Sequence, residues 1–167
     1  MNEYMVKKWL SLLGLLLGLQ AFAANTINPD KVYDSSIKTI RVHPMGNALA
    51  IPVISLSQMN PLEISFDDLK AKYQNYFYSV ELMNADWRSA NLSVFDYLQG
   101  FNQNRITQYS ISSIAIQPYY HYKFTFPNTN CRPTKSGNYI IKVYKDSNPQ
   151  KVVFTSRFFV VDDQVSI

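Results

Sequence analysis

Residues 117–144 read QPYYHYKFTFPNTNCRPTKSGNYIIKVY, and the alternation in this stretch decides the fold. Tyr120, Tyr122, Phe124 and Phe126 fall on one face of an extended chain, and His121, Lys123 and Thr125 on the other. Successive side chains of a strand point to opposite faces, so Tyr119–Phe126 predicts a strand with one face turned to a core. Pro127-Asn128 ends it, and a loop carrying Cys131 leads to Lys135. A second alternating run follows, with Tyr139, Ile141 and Val143 against Ile140, Lys142 and Tyr144. Gly137 stands two residues before Tyr139 at the entrance of this strand. That pattern matches the tyrosine corner of immunoglobulin-like sandwiches, where a Tyr hydroxyl bonds the backbone just upstream. Ile141 then takes the position of the second core Cys, and Cys131, the only Cys, excludes an intrachain disulfide of the antibody type.

Downstream, Asp146–Pro149 predicts a turn and Val152–Val161 a last strand. Upstream, Gln108–Ile116 alternates. In Tyr76–Met83, Tyr76, Tyr78, Val80 and Leu82 share one face, and Phe77, Ser79, Glu81 and Met83 the other. An aromatic on each face predicts a central strand. Ser93 with Asp96 has the spacing of a capping box, so Ser93–Gln99 predicts a short helical turn. Phe95 and Leu98 would face inward from it, and Gly100 would stop it. Leu62, Ile64 and Phe66 predict another strand, broken by Asp67-Asp68. Ile51–Leu56 contains Pro52 and predicts an edge strand or a bulge. Ile37–Val42 predicts the first strand.

The N-terminus has the form of a secretory signal peptide, residues 1–23. Lys7-Lys8 supplies the charge, Trp9–Leu19 the apolar run, and Ala21-Phe22-Ala23 the cleavage site. An uncleaved anchor is the alternative. A polar lead-in (24–35), a β domain (36–163) and a tail (164–167) follow. The expected fold is all-β, an immunoglobulin-like or fibronectin-III-like β-sandwich of about seven strands with one short helical turn. A small barrel is the alternative architecture. The 17% of charged residues is low, and 12 Tyr with 10 Phe is high, which suits such a fold better than a helical one.

Composition and motifs also limit function. The net charge is +4, and with Glu3, Lys7 and Lys8 removed it is 14 basic against 11 acidic, or +3, with the basic residues scattered. Nucleic acid is not an expected partner. His43 and His121 have no Cys, Asp or Glu at metal-ligand spacing in the sequence, so no metal or other cofactor is expected. G-x-S-x-G and phosphate-binding Gly loops are absent, and Asp67-Asp68 and Asp162-Asp163 read as turn chemistry. The reading is therefore not an enzyme. Recognition by a surface remains. Asp86, Trp87, Arg88, Phe101, Asn102, Asn104 and Arg105 sit in one long connection, and Trp and Arg commonly anchor interfaces. His121, on the polar face of its strand, joins them as a candidate. The competing reading is that Trp87 and Phe101 cover the open end of the sandwich.

Four blocks in fixed order carry a resemblance. They are Asn84-Ala85-Asp86-Trp87; Leu92-Ser93-x-Phe95-Asp96-Tyr97-Leu98-x-Gly100-Phe101-Asn102-x-Asn104; Gln117-Pro118-Tyr119-x-His121-Tyr122-x-Phe124-x-Phe126-Pro127-Asn128; and Arg132-Pro133-x-x-Ser136-Gly137-Asn138-Tyr139. From about Ser36 to Asp163 the chain resembles the N-terminal domain of the plug protein of the Bacteroidota type IX secretion system. The resemblance implies an immunoglobulin-like sandwich in the periplasm. It implies docking under a giant outer-membrane β-barrel, the translocon that exports large proteins and gliding adhesins, and closure of its periplasmic mouth. It implies no catalysis. Val94 departs from the Pro expected at the first helical position, and family members continue past the final strand. A periplasmic glycan- or ligand-binding sandwich is the alternative function, since exposed Tyr and Trp suit sugar stacking.

Overall fold

The structure, a computed structural model, describes residues 29–112 and 116–163. The expected signal peptide and tail lie outside the described residues. Alternating apolar residues place a strand in nearly every expected segment. In chain order the strands are β1 (Lys31–Val32), β2 (Ile37–Pro44), β3 (Val53–Ser55), β4 (Leu62–Asp68), β5 (Tyr76–Met83), β6 (Leu98–Gly100), β7 (Asn104–Ile106), β8 (Gln108–Ser112), β9 (Tyr119–Phe126), β10 (Cys131–Pro133), β11 (Gly137–Lys145) and β12 (Val152–Val161). One 3-10 turn, Val94–Asp96, lies between β5 and β6.

Two sheets face each other. One runs β1-β12-β11-β5-β7, with β3 also on β12, and the other runs β2-β4-β9-β8. These orders are those of an immunoglobulin-like sandwich with an added strand beside the third. The predicted edge role of the Pro52 segment holds: β3 pairs only with β12, in parallel register, and Phe159 donates its N–H to the Pro52 carbonyl. β5 lies between β11 and β7, as an aromatic on both faces predicts. A separate two-stranded ladder joins β6 to β10.

The core is aromatic. Phe66 stacks on Tyr122 and meets Tyr76 and Phe154 edge-on, with centroids 5.1–5.2 Å away. Phe158 packs in the same way between Tyr139 and Phe126. Such pairs add to the burial of their large apolar areas. The Tyr hydroxyls are satisfied locally. Tyr139 Oη donates to the Lys135 carbonyl at 2.8 Å, the geometry of a tyrosine corner. Burial pushes the Tyr122 hydroxyl pKa up to about 12, and its oxygen bonds the Gln74 backbone.

Several expectations need correction. Asp67 and Asp68 do not break β4; they end it from within. Asp68 is fully buried, and its carboxylate accepts the Tyr76 hydroxyl at 2.8 Å and the Lys70 N–H at 3.0 Å. Two donors make a buried carboxylate tolerable where a lone one would not be. Phe95 does not face inward: it is 87% exposed, and Val94 packs against the core in its place. The turn ends at Tyr97 rather than Gln99, because Leu98–Gly100 leaves to pair with β10. Gly100 is therefore not a helix stop. It has φ 103° and lies so close to Asn130 that a Cβ would approach that carbonyl oxygen to 2.0 Å. Asp163 likewise does more than turn the chain, since its carboxylate accepts the hydroxyls of Ser55 and Ser57 at 2.8 and 2.6 Å.

Candidate functional site

The expected surface residues do not converge on one patch. Asn84 folds the first block onto itself: its side-chain oxygen accepts the N–H groups of Asp86 and Arg88, both at 2.9 Å. The loop holds Trp87 at φ 57°, a left-handed conformation uncommon for an aromatic residue. Its ring meets Phe159 edge-on at 5.7 Å, and the Arg157 guanidinium lies 5.2 Å from its centroid. Trp87 is thus half-buried, packed against the outward face of β12, while Asp86 and Arg88 are exposed.

The second block serves the edge of β5. Asn102 accepts the Val80 N–H at 2.7 Å, and Asn104 donates to the Phe101 carbonyl at 2.6 Å. Phe101 itself is 75% exposed. Arg105 turns away from both and donates to Tyr73 Oη at 3.0 Å and Asn75 Oδ1 at 2.6 Å. His121 is on the other sheet, its Nδ1 2.7 Å from Asp67 Oδ1. Asp86–Arg88, Phe101–Arg105 and His121 therefore occupy separate places. Proximity in sequence suggested one surface, but β6, β7 and the Asn84 loop send the connection in different directions.

Sequence reasoning missed two features. Leu92 and Phe95, on the same connection as Phe101, are also exposed apolar residues. Near Arg105, Tyr73, Tyr109 and Tyr120 form a tilted cluster with centroids 5.1–6.5 Å apart. The available signal was the alternation of 108–116, which predicts a strand but not which of its faces stays uncovered.

Chemically the described residues are quiet. They contain no group of three or more His, Cys, Asp or Glu able to hold a metal ion. Burial pushes the Cys131 thiol up to about 11, so it stays protonated near neutrality and is a poor nucleophile. A polar cleft between β7 and β9, lined by Asn104, Lys123 and Asn128 among others, has a volume of about 180 Å³. A second groove, lined by Ile40, Pro52, Arg157 and Phe159 among others, has about 350 Å³, at the low end of the roughly 300–1,000 Å³ of ligand pockets.

Residues 37–162, the sandwich from β2 to the end of β12, match the family model of the type 9 secretion system plug protein 1st domain. The chain belongs to this family. A crystal structure of a hypothetical protein from Parabacteroides merdae superimposes with a TM-score of 0.76 and 34% sequence identity. The match covers 80% of this chain and 34% of that one, so the plug-domain chain spans about a third of its length. No curated protein matches.

Proposed function

We propose that the chain is a non-enzymatic periplasmic subunit that docks on the giant outer-membrane β-barrel translocon of the type IX secretion system and plugs its periplasmic mouth. The observation that carries this reading is the family match over residues 37–162, which takes in the sandwich from β2 to β12. The physics is compatible with it. A plug needs a rigid body, and two sheets locked by an aromatic core supply one. It also needs to leave when a substrate arrives, which calls for a contact of moderate size rather than a permanent apolar seal. The exposed Leu92, Phe95 and Phe101 supply apolar side chains that such a contact could cover.

The test is an affinity pull-down of the C-terminally tagged chain from native envelopes in mild detergent, read by mass spectrometry. A very large outer-membrane β-barrel in the eluate is expected. An eluate without any outer-membrane barrel sinks the reading. A thermal shift with cell-wall glycans would then favour the ligand-binding alternative, which the Tyr73–Tyr109–Tyr120 cluster beside Arg105 would serve.

A further inference from the structure

Each sheet edge of a sandwich exposes unpaired backbone groups, and natural proteins usually protect such edges. Three of the four edges here are protected. β12 is covered by β1 and β3, and in the interval between them the Asp30 carboxylate accepts the Arg157 N–H at 2.9 Å. β2 carries charges at Lys38 and Arg41, with a register irregularity between them and Thr39 at φ 52°. β7 has only three residues.

β8 has none of these devices. It runs in unbroken register along β9 from Gln108↔Lys123 to Ser112↔Tyr119, and no strand among the described residues pairs with its other side. Residues 106–112 contain no charge, no Pro and no Gly. Tyr109 and Ile111 point to the inner face, since they stand opposite Tyr122 and Tyr120. They nonetheless remain 48% and 57% exposed. The inner face of β8 is thus a half-exposed apolar strip beside a backbone edge that no described strand pairs with.

The sequence of this strip is self-complementary. We propose that β8 pairs antiparallel with β8 of a second copy of the chain, about a two-fold axis at Ser110, joining two four-stranded sheets into one continuous sheet. In that register Ser110 faces Ser110, and Tyr109 of each copy faces Ile111 of the other. Aromatic against β-branched is a favourable cross-strand pair, and no like charges are set opposite each other. Nearby polar side chains are already engaged within one copy: His121 with Asp67, Lys123 with Glu63 at 2.5 Å, and Arg105 with Tyr73 and Asn75. The contact is isologous, so it closes as a dimer rather than growing into a fibre. A five-residue strand buries little area, so the association is weak and exchanges readily. Because each copy carries net positive charge, it tightens as salt screens the repulsion. The inference is independent of docking on a translocon, and its test uses the purified chain alone.

The experiment is sedimentation velocity over a concentration series, with a thermal melt of each variant as a folding control. The wild-type chain is expected to shift from monomer to dimer as concentration rises. Ser110 is exposed on the outer face, so Ser110→Lys and Ser110→Glu should each fold normally and weaken dimerisation at least tenfold. An equimolar mixture of the two should restore it, because opposite charges then meet on the axis. Ile111→Lys, at another exposed position, should weaken it to a similar degree. A wild-type chain that stays monomeric at all concentrations overturns the proposal. So does a dimer that survives Ser110→Lys and Ile111→Lys, and so does a failure of the Lys and Glu chains to complement each other.

Discussion

Tyr122 and Tyr109 stand directly opposite each other on β9 and β8, on the same face of the same sheet. Tyr122 is completely buried, stacked on Phe66 and edge-on to Tyr76, while Tyr109 is 48% exposed. The residue type and the alternation are identical, so neither explains the difference. The opposite sheet does. Over β9 it offers β5, whose Tyr76 and Tyr78 meet Tyr122 and Phe124, whereas Tyr109 meets Tyr73 of the loop before β5. A Tyr is core or surface according to whether another layer reaches over it.

That contrast can be tested step by step. The largest effect should come from Phe66→Ala, which empties the centre of the sealed cluster. A loss of about 3–5 kcal/mol in denaturant unfolding is expected, the usual range for a buried Phe. A loss below 1 kcal/mol would mean that the sealed region is loosely packed. Tyr76→Phe keeps the ring and removes the hydroxyl that bonds Asp68. It leaves a buried carboxylate one donor short and should cost about 2 kcal/mol, measured in the same way. Tyr139→Phe removes the bond to the Lys135 carbonyl and should cost about 1 kcal/mol. An unchanged melting temperature would deny the corner any structural weight. Tyr109→Thr, on the open side, should change stability by less than about 0.5 kcal/mol, as exposed substitutions do. A larger loss would place Tyr109 energetically inside the core and erase the contrast.

A pH titration tests the rim rather than the centre. Burial opposes ionisation of Asp34, but Lys145 at 2.5 Å, Lys70 at 2.8 Å and the Ser36 N–H and hydroxyl outweigh it and hold the carboxyl well below its usual value. A depressed folded-state pKa stabilises the fold at pH values above the unfolded pKa, near 4. That contribution should fade as the pH falls below about 4, and Asp34→Asn should flatten this part of a stability-against-pH curve. An identical acid limb in the variant would assign the acid sensitivity to other carboxylates.

The long strands were legible in the sequence because their alternation is dense. β9 and β12 have the predicted limits, and β5 has the predicted central place. The short strands were not. β1, β6, β7 and β10 have two or three residues each, too few to show a period, and exist because a neighbouring edge offers hydrogen bonds. Of the candidate surface, the sequence indicated the right connection but not its layout. Trp87 read either as an interface anchor or as a cover for the sandwich, and it packs on Phe159; Phe95 read as core and stands in solvent. Neither placement follows from periodicity, because side-chain bonds from Asn84 and Asn102 set the path of this segment.

By itself, then, the sequence determined an all-β sandwich, its principal strands, the residues that share each face and the family, because period-two alternation and ordered motif blocks are local properties of the chain. Only the tertiary structure decided which tyrosines are sealed, where the connection between β5 and β7 presents its apolar residues, and that β8 is left with an open edge. Those outcomes depend on how far one sheet extends over the other, a length that no single strand encodes.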